Sequence, residues 1–510
     1  MSDTRTVDAP AGPATPEAAR LLELWAEYAD VSAAAGLLGW DQEVFLPPHG
    51  QAGRGKVLAT LAGVAHRALT STELADAVAA AEEAAEPDSV DAAQAREARR
   101  EMERARRVPE ALEKAFAESR SAALVNWQQA RKDKDFAAFL PTLERQVGLV
   151  RERADALKDE GGTRYDALLE EFEPGARAAD LEPLFAHLRA ELAPMVQSAA
   201  DSGRQVDESV AHGAFPADAQ RGFVREVAAA IGFDFQAGRL DPAAHPFCSG
   251  FGAGDVRLTW RWYEDDFRPA LFGVMHEAGH GLYEQGLPAA WHRTPLGRDA
   301  GLGIHESQSR LWENRVGRSR AFWDWAMPRF RAAFPGHAPD ADALWKALHT
   351  CRPSPIRVEA DEATYDLHIL LRFAIERPLV EGGLEPADLP AAWAEQSAAL
   401  LGFVPEDDAQ GVLQDIHWAM GLFGYFPTYT LGNMYAAQLY AAADRDLAGI
   451  DALAAAGDFG PLLDWLRVHV HRHGRSRPAA ELVEAASGAP PSPEPLLEHL
   501  RANVAAVYGA

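Results

Sequence analysis

His276 and His280, in the run His276-Glu277-Ala278-Gly279-His280, stand four positions apart. That spacing restricts what the chain around them can become. On an α-helix, residues at i and i+4 lie one turn apart on the same face, so the two imidazoles meet. In that geometry they can occupy two corners of a zinc tetrahedron. Glu277 is turned by about 100° from His276 around the helix axis, so it stands beside such an ion instead of ligating it. A carboxylate there is placed to act as a general base in zinc-assisted hydrolysis. Phe272, Met275, Ala278, Leu282 and Tyr283 supply apolar positions on both sides, and the helix is expected to be buried. Gly279 and Gly281 each cost it roughly 1 kcal/mol, which predicts close approach of another backbone or of a substrate.

A zinc site of this kind needs a third protein ligand and an open position. The candidate is Glu306, in His305-Glu306-Ser307-Gln308-Ser309-Arg310-Leu311-Trp312-Glu313-Asn314. Pro288, Pro295, Gly297, Gly301 and Gly303 break the chain between it and His280, leaving room for a turn and a returning helix. Glu313 lies two turns along on the same face and is the rival ligand. A second histidine cluster, His469, His471 and His473, has no interleaved carboxylate or cysteine. Arg467, Arg472 and Arg475 would repel a cation there, so a structural role is expected.

The rest of the chain reads as helix. Leu143, Val147, Val150, Ala154 and Leu157 recur at helical spacing, with charged residues filling much of the rest. Ala-rich stretches at 75–85 and 111–123 have high helix propensity. Only Gly250 to Trp262 differs: Val256, Leu258, Trp260 and Trp262 alternate with Arg257, Thr259 and Arg261, the period of a half-buried strand. A strand edge beside the histidine helix could hydrogen-bond an extended peptide. The fold expected is therefore all-α, in two lobes with a cleft between them and one small β-sheet beside the metal.

Charge and cysteine usage narrow the setting. A net charge of −27 repels phosphate backbones and anionic membranes, so neither nucleic acid nor membrane is expected as a partner. Two cysteines, Cys248 and Cys351, form no disulfide framework and fit a reducing compartment. Met1 to Pro16 has no basic start followed by an apolar run, and no stretch of 18 or more apolar residues occurs. A cytoplasmic location is expected.

Several ordered motifs resemble the carboxypeptidase Taq family of zinc metallocarboxypeptidases. They begin with Trp40-Asp41-Gln42-Glu43 and Pro47-Pro48, His245-Pro246-Phe247, and Asp255-Val256-Arg257-Leu258-Thr259. After the two-histidine helix and the Glu306 segment come Ile356-Arg357 with Glu359-Ala360-Asp361, then Gly411 with Gln414-Asp415 and His417-Trp418. Gly424-Tyr425-Phe426-Pro427-Thr428-Tyr429 and His471-Arg472-His473-Gly474 complete the series. Cys248 and Trp260 stand where threonines are expected, which bears on side-chain preference.

The resemblance implies His276, His280 and Glu306 as metal ligands, Glu277 as base, and a nearly all-helical peptidase around a deep groove. It also implies a homodimer and activation by zinc or cobalt. The chain is then one peptidase unit over 1–510, with a helical N-terminal lobe over about 1–240 and a zinc-binding catalytic portion over about 241–510. The expected reaction is removal of single residues from the C-terminal end of peptides. That requires a cation for the free carboxylate. Arg357 is the candidate, and the matching family position is implicated in that role; an ion pair with Glu359 or Asp361 is the alternative. His417, Tyr425 and Tyr429 are donor types suited to substrate contact, against the alternative of core aromatics. A zinc oligopeptidase or dipeptidase, sharing the metal site but lacking the carboxylate anchor, is the competing function.

Overall fold

The computed structural model describes residues 12–509. Residues 1–11 of the polar N-terminal stretch, read above as lacking a secretory signal, lie outside them. Among the described residues the chain is 68% helical, with 20 helices and one three-stranded sheet. None of these helices is long and apolar enough to cross a membrane.

The helices arise where local signals place them. Asp135 caps Phe136–Leu157 by accepting the Ala138 N–H at 3.1 Å, and the predicted stripe, Leu143, Val147, Val150, Ala154 and Leu157, is buried. Ser71 caps Thr72–Ala84 in the same way, and Glu110–Asp133 covers the second Ala-rich stretch. One continuous core runs from Phe116 to Tyr508. A separate cluster containing Leu21, Trp25, Leu74, Val78 and Met102 joins helices that end by Arg107.

The sheet has three strands, β1 (Gly238–Pro242), β2 (Cys248–Gly250) and β3 (Val256–Trp260), in the order β1-β3-β2. β1 pairs with β3 in parallel and β2 pairs with it antiparallel. The alternating strand expected over 250–262 is shorter, and it lies at the centre of the expected small sheet. Val256, Leu258 and Trp260 are buried as the alternation requires. Thr259 is buried too, against its polar character, because the Phe247 backbone satisfies its hydroxyl: the Phe247 N–H donates to Oγ1 at 2.7 Å, and the hydroxyl donates to the Phe247 carbonyl at 3.0 Å. From β3 the chain turns into the helix Arg268–Gly286, whose start is braced by Asp266 accepting the Arg268 N–H at 2.9 Å.

Candidate active site

Arg268–Gly286 carries the two histidines, and it is buried around most of its circumference. It packs against Leu302–Arg310, which carries Glu306 and continues into a π-helical turn, Leu311–Val316. Gly279 makes this packing possible: a Cβ there would come within 2.5 Å of the Gln308 carbonyl oxygen and 2.6 Å of the Ser309 Cα. The close backbone approach expected from the sequence is thus present. Gly432, on the helix Pro427–Leu447, lets that helix seat directly on the Glu306 side chain from the other side, at 2.5–2.6 Å from an added Cβ.

The result is a tight donor cluster. Glu306 Oε2 lies 3.5 Å from His276 Nε2 and 3.4 Å from His280 Nε2. Among the described residues, His276, His280 and Glu306 are the one group of three or more potential ligands, with all ligand atoms within 4.8 Å of one another. Ligands about 2.0–2.1 Å from a tetrahedral zinc are separated by roughly 3.3 Å, so the observed spacing fits such an ion. The other imidazole nitrogens are occupied. His276 Nδ1 meets Glu313 Oε2 at 2.9 Å, and His280 Nδ1 meets the His305 carbonyl oxygen at 2.9 Å. Both Nε2 atoms are thereby turned toward Glu306, the usual division of labour for metal-binding histidines.

Glu313, the rival ligand, thus braces His276 instead of facing the cluster. The π-helical turn carries it, and such turns insert an extra residue that re-aims side chains. Arg310 ties the two acids together: its Nε donates to Glu306 Oε1 at 2.8 Å and its Nη1 to Glu313 Oε2 at 3.3 Å. Arg318 adds a bond to Glu313 Oε1 at 3.1 Å. His305 stacks on His280 with ring centres 4.4 Å apart and is itself held by Glu284 at 2.9 Å.

Charge states follow from these contacts. Burial disfavours a charged His276, but Glu306 and Glu313 reverse this and raise it to about 9. Burial, with His305 adding repulsion, pushes His280 down to about 3. Burial would raise Glu313, yet Arg310 and His276 hold it at about 2. Glu277 is buried beside His276 and makes no hydrogen bond among the described residues; burial lifts it to about 7 despite that neighbour. A carboxyl poised near neutrality can both take and return a proton.

A second centre lies across Tyr365. Arg357 is buried and pairs with Asp415, with Nε 3.0 Å and Nη2 2.9 Å from Oδ1. Its Nη1 donates to the Tyr365 hydroxyl at 2.8 Å, and its backbone N–H to Gln414 Oε1 at 2.9 Å. The ring of Tyr365 in turn carries the Arg310 guanidinium 4.5 Å from its centre. A single tyrosine therefore links the carboxylate-gripping candidate to the arginine that holds Glu306. The ion pair with Glu359 or Asp361 does not form; Asp361 caps the helix Glu362–Glu381 by accepting the Thr364 N–H at 2.9 Å.

His417, Tyr425 and Tyr429 are brought to the same place. His417 Nε2 lies 3.2 Å from the Tyr429 hydroxyl, and the Tyr425 and Tyr429 rings are 5.3 Å apart. Arg357 sits 4.9 Å from the centre of the Tyr429 ring. His417 Nδ1 is buried with no hydrogen-bond partner among the described residues. Burial drives His417 down to about 3, so it is neutral. In the remaining histidine cluster His471 is buried, with Nε2 2.9 Å from Gln308 Oε1 on the Glu306 helix.

Sequence reasoning missed Tyr365, Arg310 and Glu284, which carry no spacing signal of their own. Cys248 lies close enough to Glu277 and Glu284 to feel their charge. Cys248 is half-buried on β2 with its thiol pushed well above its usual range by burial and by Glu284 and Glu277. Trp260 is buried against Trp262 at 4.8 Å.

Known proteins resemble the chain over nearly its whole length. A family described as carboxypeptidase Taq (M32) metallopeptidase matches residues 20–504. Thermostable carboxypeptidase 1 of Thermus thermophilus is 44% identical, covering 97% of this chain and 100% of the relative. Carboxypeptidase 1 of Bacillus subtilis is 37% identical over 94% of this chain and 96% of its own. The crystal structure of an M32 carboxypeptidase from Deinococcus radiodurans R1 superimposes with a TM-score of 0.93 at 37% identity, covering 97% of this chain and 100% of that one.

Proposed function

The chain belongs to the carboxypeptidase Taq (M32) family of metallopeptidases and is a metallocarboxypeptidase, and from that premise we propose which residues do the work and with which ion. His276, His280 and Glu306 hold a divalent cation, zinc, with cobalt able to replace it. When bound, the ion supplies Lewis acidity toward water and the scissile carbonyl. Glu277 takes the proton of the attacking water and delivers it to the leaving nitrogen. Arg357 grips the free C-terminal carboxylate of the peptide. Three of its five N–H groups are committed to Asp415 and Tyr365, which leaves two for a bidentate contact. His417, Tyr425 and Tyr429 donate hydrogen bonds to the substrate. The edge strand β2 is placed to pair with an extended peptide.

The observation that carries this reading is the chain of contact Glu306–Arg310–Tyr365–Arg357, which joins an ion site to a buried cation through two side chains. With the free carboxylate held at Arg357 the last peptide bond is the one presented to the ion, and single amino acids are released. The test is mass spectrometry of a peptide digest, with the C-terminus free or amidated, and with or without chelator. Stepwise C-terminal loss from the free peptide alone, abolished by chelator, is expected. Internal or paired cleavage of the amide would favour the oligopeptidase reading instead.

The wider setting belongs to the same proposal. The enzyme is cytoplasmic, consistent with two free cysteines, and acts as a homodimer on peptides with free C-termini. Residues 1–510 form one peptidase unit, with lobes over about 1–240 and 241–510; every proposed ligand and substrate contact lies in the second.

A further inference from the structure

Arg372 lies in the middle of the helix Glu362–Glu381 with no solvent exposure. A buried guanidinium is costly unless it is paired and hydrogen-bonded. Its Nε and Nη2 lie 2.6 and 2.5 Å from Asp415 Oδ2, and its Nη1 donates to the His368 carbonyl at 2.8 Å. The rings of Trp393 and Phe426 close over it at 4.7 and 5.5 Å. It therefore cannot touch a substrate.

The other oxygen of Asp415 is the one that holds Arg357. One carboxylate thus serves two buried guanidiniums, and among the described residues no other carboxylate bonds either of them. The groups facing this cluster add no compensating charge. His417 and His368 are both pushed down to about 3 by burial, and burial raises Tyr365 and Tyr429 above the usual phenol range. The Arg357–Asp415–Arg372 cluster is left with a formal charge of +1.

We propose that Arg372 is a positioning residue for the terminal carboxylate of the substrate. By engaging one oxygen of Asp415 it converts Arg357–Asp415 from a neutral pair into a cluster that lacks one anion, and the peptide C-terminus supplies that anion. Without Arg372, Asp415 would compete undiminished with the substrate for the Arg357 guanidinium. The inference rests on Arg357 being the anchor, and it assigns the charge of that anchor to a residue the substrate never meets.

The experiment uses the metal-loaded enzyme with an N-blocked alanyl-alanine dipeptide as free acid and as amide. In Arg372→Met, KM for the acid rises roughly tenfold or more while kcat stays within about threefold. The amide stays at background in both enzymes. The double variant Arg372→Met/Asp415→Asn restores the net charge and lowers KM again, to within about threefold of wild type. A folded Arg372→Met enzyme with KM within about twofold of wild type overturns the proposal, as does a double variant no better than the single one. Should Arg372→Met not fold, Arg372→Lys decides. Retained charge predicts KM within about threefold of wild type, and a tenfold rise there would mean that shape and not charge matters, against the proposal. Arg357→Met is run beside these. If it leaves KM unaltered, the anchor reading itself fails; if it raises KM and Arg372→Met does not, only the present inference falls.

Discussion

The two ends of the proposed catalytic cleft are built from the same residue types with opposite surpluses. Around His276 and His280, four acids, Glu277, Glu284, Glu306 and Glu313, face the cations Arg310 and Arg318. Around Arg357 a single acid, Asp415, faces two buried arginines. With His276 deprotonated, as a metal ligand must be, the first end has negative charge to spare and suits a cation; the second lacks an anion and suits a carboxylate. Neither surplus would persist in water, where counterions would cancel it. Burial preserves both, and Tyr365 keeps them apart while bonding one and stacking on the other. On the proposed reading, selectivity for a free C-terminus comes from charge left unbalanced at one end of a mainly helical frame.

The sharpest way to break this comparison is to remove proton transfer and leave both charge clusters standing. Glu277→Gln is expected to lower kcat by roughly 10²–10⁴, with ion content unchanged by elemental analysis. A variant that still trims peptides at more than a tenth of the wild-type rate would unseat Glu277 as the base. At the cationic-ligand end, Glu313→Gln should weaken ion affinity by about 10–100-fold, because His276 loses the partner that orients its ring. Competition with a graded chelator measures it, and unchanged affinity would mean that Glu313 is merely structural. Tyr365→Phe sharpens the link between the ends. It deletes the acceptor of an Arg357 N–H and should raise KM by about threefold to tenfold with a smaller change in kcat.

The smallest effect concerns stability. Glu173 is buried at the start of the Glu306 helix, where it accepts the Gly303 N–H at 2.8 Å, and burial raises it to about 8. A carboxyl raised in this way favours folding only while protonated. Its cost is absent below the unfolded value near 4.5, grows as pH rises, and levels off above about 8. Glu173→Gln should therefore raise Tm by a few degrees at pH 8 and by much less at pH 5. Differential scanning at the two pH values checks this, and an equal shift at both would show that Glu173 is not titrating.

Much of the molecule was legible before any coordinates. The helix over 268–286, its two histidines on one face, and a crowded Gly279 all follow from residue types at fixed spacing, because helical periodicity is a local property written in adjacent residues. The amphipathic stripe from Leu143 to Leu157 was readable for the same reason. The small sheet beside the histidine helix was expected too, but only its central strand announced itself by alternation; β1 and β2 carried no such pattern.

By itself the sequence determined which side chains were available: two imidazoles a turn apart, Glu277 between them, two glutamates on one later helix face, and an arginine among acids. Only the tertiary structure decided their partners. It turned Glu306 toward both histidines and Glu313 behind one of them, through a π-helical turn that no spacing announced. It paired Arg357 with Asp415 instead of its sequence neighbours, and set Arg372 behind that pair. Contacts between distant segments depend on how whole helices pack, and buried charges take the partners that packing brings within reach.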